Sequence, residues 1–298
     1  MRILCLGSLN IDRTYRVENF VKPGETISSL SLTVGSGGKG LNQAIACRKA
    51  GSEVYMAGKL GSDGGILVEK LKQYGVNTER TIVDVTQLSG HAVIQLDNSA
   101  QNNIILYGGT NRTITHEDVD FMIRHFGKDD ILLLQNEISS MDYIIDRGYE
   151  KGMTIALNPS PMDESLLECD LKKVSYFIMN EIEAEDISGE SDPDKAIKVL
   201  HEKYPNSKIV ITLGSEGSVY FDGEKTYRHG IYKVNAVDTT ARGDTFTGYF
   251  LNGVLNGMQP AEILSMAAKA SALAVSKPGA ADSIPSKSEV MARSLELK

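Results

Sequence analysis

Apolar residues along this chain recur in two rhythms. Short unbroken runs of aliphatic and β-branched residues predict buried strands over 2–6, 53–59, 131–135, 154–157, 174–179 and 208–213. Between them the apolar spacing is helical. Residues 63–75 place Ile66, Leu67, Leu71 and Tyr74 on one face. A second helix opens at Asp192-Pro193, a capping residue followed by proline at the first helical position, and carries Ala196, Ile197, Leu200 and Tyr204. Alternation of this kind predicts an α/β fold, a mostly parallel sheet with helices on both faces.

Two stretches interrupt the alternation. Residues 15–34 read as strands around a Pro23-Gly24 turn, and 91–106 as a hairpin turning over 97–102; neither is followed by its own helix. Extra β-structure inserted early in an α/β domain predicts a small lid or an oligomer surface. The last third returns to helices, over 243–256, 260–276 and 286–296. No repeat or linker divides the 298 residues, so the chain reads as one large domain with a lid.

Composition narrows the class. Apolar residues make up 41% and charged ones 23%, the balance of a globular protein, and no apolar run approaches the roughly 18 residues of a membrane span. The opening segment is too short for a signal-peptide core and reads as a buried strand. Cys5, Cys47 and Cys169 are odd in number and widely spaced, which speaks against a disulfide framework or zinc site and for a reducing cytoplasm. The histidines are scattered. A net charge of −8 without any Lys/Arg run disfavours a nucleic-acid surface, so a positive field for an anionic substrate must be local.

Several short matches carry nothing alone. Gly35-Ser-Gly37-Gly-Lys-Gly40 spells a dinucleotide fingerprint but does not follow the first strand directly. A Walker A loop is absent. Arg242-Gly-Asp244 and the sequon Asn111-Arg-Thr113 have no meaning in a cytoplasmic chain.

The stronger signal is Asp238-Thr-Thr-Ala-Arg-Gly-Asp244, which runs into a helical apolar pattern. The small-residue turn therefore meets a helix N-terminus, where free N–H groups and the dipole favour an anion. Asp244 fits two readings here: a helix N-cap, or a general base kept ionised by the dipole beside a bound phosphate. A second glycine-rich segment, Gly37-Gly-Lys-Gly-Leu-Asn-Gln-Ala44, also enters a helix and permits close backbone approach to a ligand.

Together with Gly51 and Gly61, that segment resembles the first signature of the ribokinase-like (PfkB-type) carbohydrate kinases, and residues 238–248 resemble the second. The resemblance extends over essentially the whole chain. It implies a three-layer α/β sandwich with a β-lid formed near 12–34 and 91–107. It also implies a cytoplasmic, ATP-dependent sugar kinase working with Mg²⁺ and K⁺, and a homodimer joined through the lid. Position by position, Asn10, Asp12, Gly38, Lys39, Gly40, Asn42 and Glu137 match the family's sugar ligands. Asp12 alone reads equally as a turn residue. Asp244 matches the catalytic base, and Ala241, Arg242 and Gly243 the anion turn. Thr212, Leu213, Gly214, Ser215, Glu216, Gly217, Gly243 and Ala268 match nucleotide-binding positions. Asn180 and Glu183 match an NxxE element that orders magnesium waters and phosphates; by residue type alone they read as a capped acidic helix. Asp238, Thr240, Ala274, Lys277, Gly279 and Ser283 fall where the family holds a monovalent cation, mostly through backbone carbonyls.

Two positions depart from the family: Arg242 stands where Gly or Ala is usual, and Tyr249 replaces a small helix residue. Arg242 reads either as a phosphate-facing cation or as a solvated side chain. Lys39 and the Asn10-x-Asp12 pair make D-ribose the first expected substrate. Another pentose, a hexose or a nucleoside stays open, as does a sugar-responsive binding protein that has lost turnover.

Overall fold

The six predicted strands all form, and side chains along them alternate between two buried faces: Ile3 and Cys5 enter one core, Leu4 and Leu6 the other. The computed structural model describes residues 1–99 and 101–298; Ala100, in the turn expected over 97–102, lies outside the described residues. The strands are β1 (Ile3–Leu6), β2 (Asn10–Arg16), β3 (Ser31–Gly37), β4 (Val54–Gly61), β5 (Asn77–Asp84), β6 (Gly90–Leu96), β7 (Asn102–Tyr107), β8 (Ile131–Gln135), β9 (Thr154–Asn158), β10 (Tyr176–Asn180), β11 (Lys208–Thr212), β12 (Ser218–Phe221) and β13 (Thr226–His229). The helices are α1 (Lys39–Lys49), α2 (Gly65–Gln73), α3 (His116–Ile123), α4 (Met141–Glu150), α5 (Glu181–Ser188), α6 (Pro193–Lys203), α7 (Arg242–Leu255), α8 (Pro260–Val275) and α9 (Lys287–Ala292).

A nine-stranded sheet in the order β13-β12-β11-β10-β9-β8-β1-β4-β5 forms the middle layer. From β11 to β5 it is parallel; β12 and β13 turn antiparallel at one edge. Helices α1, α2, α7, α8 and α9 pack on one face and α3 to α6 on the other, giving two separate apolar cores. The caps fall where residue type places them. Asp192 accepts from the Lys195 N–H at 2.9 Å and Pro193 opens α6.

The two segments expected to form a lid pair into a second sheet, β3-β2-β6-β7. Its first strand starts at Asn10 instead of the expected 15, because β2 continues the path of β1 out of the main sheet. The Pro23-Gly24 turn forms, with Glu25 N–H on the Lys22 carbonyl at 3.0 Å, but residues 17–30 around it carry no strand. Strands β5, β12 and β13 were not anticipated. β5 and β13 are half-buried or exposed, and an edge strand solvated on one side gives no apolar run. The helix expected over 286–296 is shorter, since the chain beyond it pairs with 231–233 through Lys233 N–H to Glu296 O and Lys298 N–H to Ile231 O, both 2.8 Å.

Candidate active site

Strand order reverses at β1: the chain runs outward through β4 and β5, then returns to β8 on the other side of β1. The segments leaving β1 and β8 diverge there, and such a switch point opens a crevice at the carboxyl ends of parallel strands. Ser8 and Asn10 leave β1 at that point, Glu137 leaves β8, and α1 begins beside them. Gly40 allows the approach, since a Cβ on it would lie 2.5 Å from the Ser8 nitrogen. Gly38 begins α1 at φ +95°, a left-handed value suited to glycine.

These contacts fix the expected sugar cradle. The Glu137 carboxylate accepts from the Ser8 hydroxyl and from the Lys39 N–H at 3.2 Å. Asn10 Oδ1 accepts from Asn111 Nδ2 at 2.7 Å, while Asn111 Oδ1 accepts from the Leu9 N–H at 3.1 Å. Gly90, opposite Asn10 in the lid, leaves room for this pair. Asn111 belongs to the sequon set aside above; its side chain is buried and orients Asn10. Asp12 lies against Gly37, where a Cβ would stand 2.1 Å from its Oδ2. Burial and the neighbouring Glu137 charge push the Asp12 carboxyl up to about 6. Asn42 is buried, and its Oδ1 has no partner among the described residues. An unpaired buried acceptor at a cradle is suited to a ligand hydroxyl.

Asp244 does not cap its helix. The N-cap of α7 is Ala241, which puts Asp244 at the third helical position, and its Oδ1 instead accepts from Gln43 Nε2 on α1 at 2.9 Å. The N-cap reading is thereby removed. The expected effect of the helix dipole, to keep the carboxylate ionised, meets an opposing one. Burial raises the Asp244 carboxyl, and the Lys39 charge and the Gln43 hydrogen bond oppose it. Asp244 shares a cavity with Lys39, Asn180, Glu183, Thr212, Thr240 and Gly243, so residues from both signatures converge as expected. By helix geometry the N–H groups of Gly243 and Asp244 have no acceptor within α7.

Gly243 also lines a second cleft of about 250 Å³. Its walls are the 212–217 turn, the 230–236 segment and the α8 face bearing Ala268. Thr212, Gly214, Ser215 and Gly217 line it directly; Leu213 and Glu216 shape the turn through the Glu216 N–H on the Leu213 carbonyl at 2.8 Å. Gly217 takes φ +100°, and a Cβ there would meet the His229 carbonyl at 2.0 Å. The 230–236 wall was not anticipated, because a strandless segment carries no periodic signal, and Phe246 reads in the sequence only as an apolar helix position. Arg242 is not a solvated side chain: Nη2 donates to the Gly214 carbonyl at 2.8 Å. Tyr249 is fully buried and donates to the Pro285 carbonyl at 2.8 Å.

Asn180 and Glu183 form a reciprocal capping box at the start of α5, each contact 2.9 Å. Only Oε2 of Glu183 enters that box; Oε1 takes no part in it, and the residue lines the cavity it shares with Asp244. Among the described residues no cluster of three or more His, Cys, Asp or Glu could chelate a metal directly. Asp238 draws two loops together, accepting from Thr240 N–H and Gly279 N–H at 2.9 Å each. Those bonds outweigh burial and hold its carboxyl below the usual range. Lys277 turns away to Glu289 at 2.8 Å, and the Ser283 hydroxyl donates to the Ala280 carbonyl at 2.8 Å. Ala274 accepts from the Lys277 N–H at 3.1 Å. An ionised carboxylate between carbonyl-bearing loops suits a hard cation.

A family model for pfkB family carbohydrate kinases matches residues 1–287. The ribokinase of Staphylococcus aureus is 34% identical, the alignment covering 97% of this chain and 98% of that protein. The deoxyribokinase of Salmonella typhimurium is 29% identical, with 96% of each covered. Among solved structures, an Arabidopsis thaliana ribokinase complexed with ribose and ATP is similar at a TM-score of 0.86 and 30% identity, over 97% of each chain. The architecture is thus the ribokinase fold, an α/β sandwich with a mostly parallel sheet. The chain belongs to the pfkB family of carbohydrate kinases, enzymes that transfer a phosphoryl group to an alcohol.

Proposed function

We propose that this enzyme transfers the γ-phosphoryl group of ATP to the 5-hydroxyl of D-ribose, forming ribose 5-phosphate. One relationship carries the reading. Gly243 lines both cavities, and buried Asp244 follows it directly in the cavity that also holds Lys39, which supports Asp244 as a base between sugar and nucleotide.

The sugar rests against Asn10, Asp12, Gly38, Lys39, Gly40, Asn42 and Glu137. ATP lies along the 212–217 turn with Ala268 behind it, its phosphates toward Asn180 and the start of α7. Asp244 accepts the proton of the attacking hydroxyl, and the amides around 241–243 stabilise charge on the transferring group. Lys39 supplies the local positive field that an acidic protein must provide at this point. Magnesium, held through water near Glu183, would neutralise phosphate charge. Potassium near Asp238, Thr240, Ala274, Lys277, Gly279 and Ser283 would order the anion turn.

The chain works in this reading as one kinase domain whose lid excludes water. We place it in the cytoplasm, consistent with three unpaired cysteines and with the absence, among the described residues, of any helix long and apolar enough to cross a membrane. The likeness to a deoxyribokinase makes 2-deoxyribose the second candidate. ADP release across a panel of pentoses, hexoses and nucleosides tests the assignment. Saturation by ribose is expected. Ribose no better than water, beside another sugar that saturates, would return the reading to the family level. Repeating the ribose assay with potassium replaced by a bulky organic cation at constant ionic strength should lower the rate.

A further inference from the structure

The Asp244 carboxylate is the end of a chain of side-chain amides, two of them buried, and each amide's orientation is forced by its neighbour. Asn158 donates Nδ2 to the Ile178 carbonyl at 2.8 Å, so its Oδ1 is left as the acceptor for Gln43 Nε2 at 3.1 Å. Gln135 donates Nε2 to Gln43 Oε1 at 2.7 Å. Gln43 therefore presents NH₂, never its carbonyl, to Asp244 Oδ1 at 2.9 Å. Gln135 is keyed in turn by Cys5, whose sulfur lies 3.7 Å from Nε2 and whose thiol donates to the Gly40 carbonyl at 3.3 Å.

Gln135 and Gln43 are 0% and 1% exposed, so water cannot replace the bond between them. The arrangement also carries a cost. Gln135 Oε1 has no partner among the described residues, and a buried acceptor left unpaired is unfavourable. Gly7 makes space for it, since a Cβ there would lie 2.0 Å from Oε1. An apolar side chain of similar size would remove that penalty but leave buried Gln43 Oε1 without its donor, so what glutamine at 135 provides is the bond that satisfies and aims the Gln43 amide.

We propose that Gln43, oriented by Gln135 and Asn158, is a positioning residue for phosphoryl transfer, fixing the Asp244 carboxylate so that Oδ2 receives the substrate proton. The inference rests on Asp244 being the base. Donation from Gln43 makes Oδ1 the less basic oxygen. In the step, the hydroxyl O–H bond breaks toward Oδ2, that hydroxyl oxygen bonds the γ-phosphorus, and the bridging P–O electron pair leaves with ADP.

The test is a double-mutant cycle with ribose and ATP, on Gln43→Met, Asp244→Asn and the pair. Misplacing a reacting group is expected to lower kcat of Gln43→Met by about 10- to 100-fold. KM values for both substrates should stay within about twofold, because the interaction acts only in the transition state. The double variant should match Asp244→Asn alone, since nothing is left to position. Losses that multiply, or a normal kcat in Gln43→Met, overturn the proposal. Gln135→Met, which removes one of the two contacts that orient the Gln43 amide, enters the same cycle. It should show the same non-additivity with a smaller loss, and it decides the question if Gln43→Met does not fold. A near-normal kcat in Asp244→Asn removes Asp244 as base. A crippled Asp244→Asn beside a normal Gln43→Met removes only the positioning role.

Discussion

The Arg242 guanidinium donates Nη2 to the Gly214 carbonyl 2.8 Å away, joining the first turn of α7 to the turn after β11 along the wall of the cleft of about 250 Å³. A glycine or alanine at 242 could not make that bond. Arg242→Ala should raise the ATP KM about 3- to 10-fold, the scale of one lost hydrogen bond of about 1 kcal/mol, and leave the sugar KM unchanged. Initial-rate kinetics with each substrate varied in turn checks this; unaltered ATP kinetics would reduce the bridge to a packing contact.

For Asp244→Asn, kcat should fall by at least about 10²-fold with little change in sugar affinity, since the variant keeps the shape but accepts no proton. Burial raises the Asp244 carboxyl, so the folded chain holds that proton more tightly than the unfolded one. Its ionised form therefore costs stability, and the cost grows as pH rises. The Asn variant should melt at or above the wild-type temperature at neutral pH, the gap closing toward acid. A lower Tm at neutral pH would contradict the burial argument.

Asp12 gives a pH dependence of its own. With its carboxyl pushed up to about 6 by burial and Glu137, acidification through that value protonates it. The sugar KM should then rise as pH falls below about 6, against an unperturbed carboxyl that would titrate near 4. Glu137→Gln removes the like charge and should move the inflection downward. A sugar KM flat from neutral pH to about 5 would rule out Asp12 as a ligand in its ionised form.

Helix packing and catalysis meet at Gly248. A Cβ there would stand 2.5 Å from the Ala46 Cβ, so α7 rests directly on α1. Those two helices carry Asp244 on one side and Lys39, Asn42 and Gln43 on the other. Gly248→Ala should cost about 1–3 kcal/mol by overpacking, read as a lower Tm, and should lower kcat with it. Wild-type values for both would mean that the interface relaxes freely.

The lid leaves Leu32, Val34, Ile104, Ile105 and Leu106 exposed, with β7 as an unpaired edge. A long apolar edge strand needs covering, and a second copy of the lid would supply it. Light scattering should report a dimer for the wild type and a monomer for Ile105→Glu. A monomeric wild type would discard this assembly.

Much of the frame was legible in the residues themselves. Buried parallel strands need unbroken apolar runs, as at 131–135, and caps act within three residues, as Asp192 and Asn180 do, so both leave a local signature. Asn111 shows the opposite case. Its spelling pointed to a surface sequon, and only the fold turned it inward beside Asn10. Strands β5 and β13 were missed because edge pairing places no demand on composition that a loop does not also meet.

By itself the sequence determined the α/β class, the two glycine-rich helix starts and the identity of the acid at 244, because apolar period, glycine and capping chemistry are properties of neighbours along the chain. Only the tertiary structure decided what those acids touch. It moved Asp244 from cap to buried carboxyl, joined it to Gln43 across 201 residues of chain and reached Gln135 across a further 92. Hydrogen bonds over such separations depend on where β1, β8, α1 and α7 come to rest, and no local pattern encodes that distance.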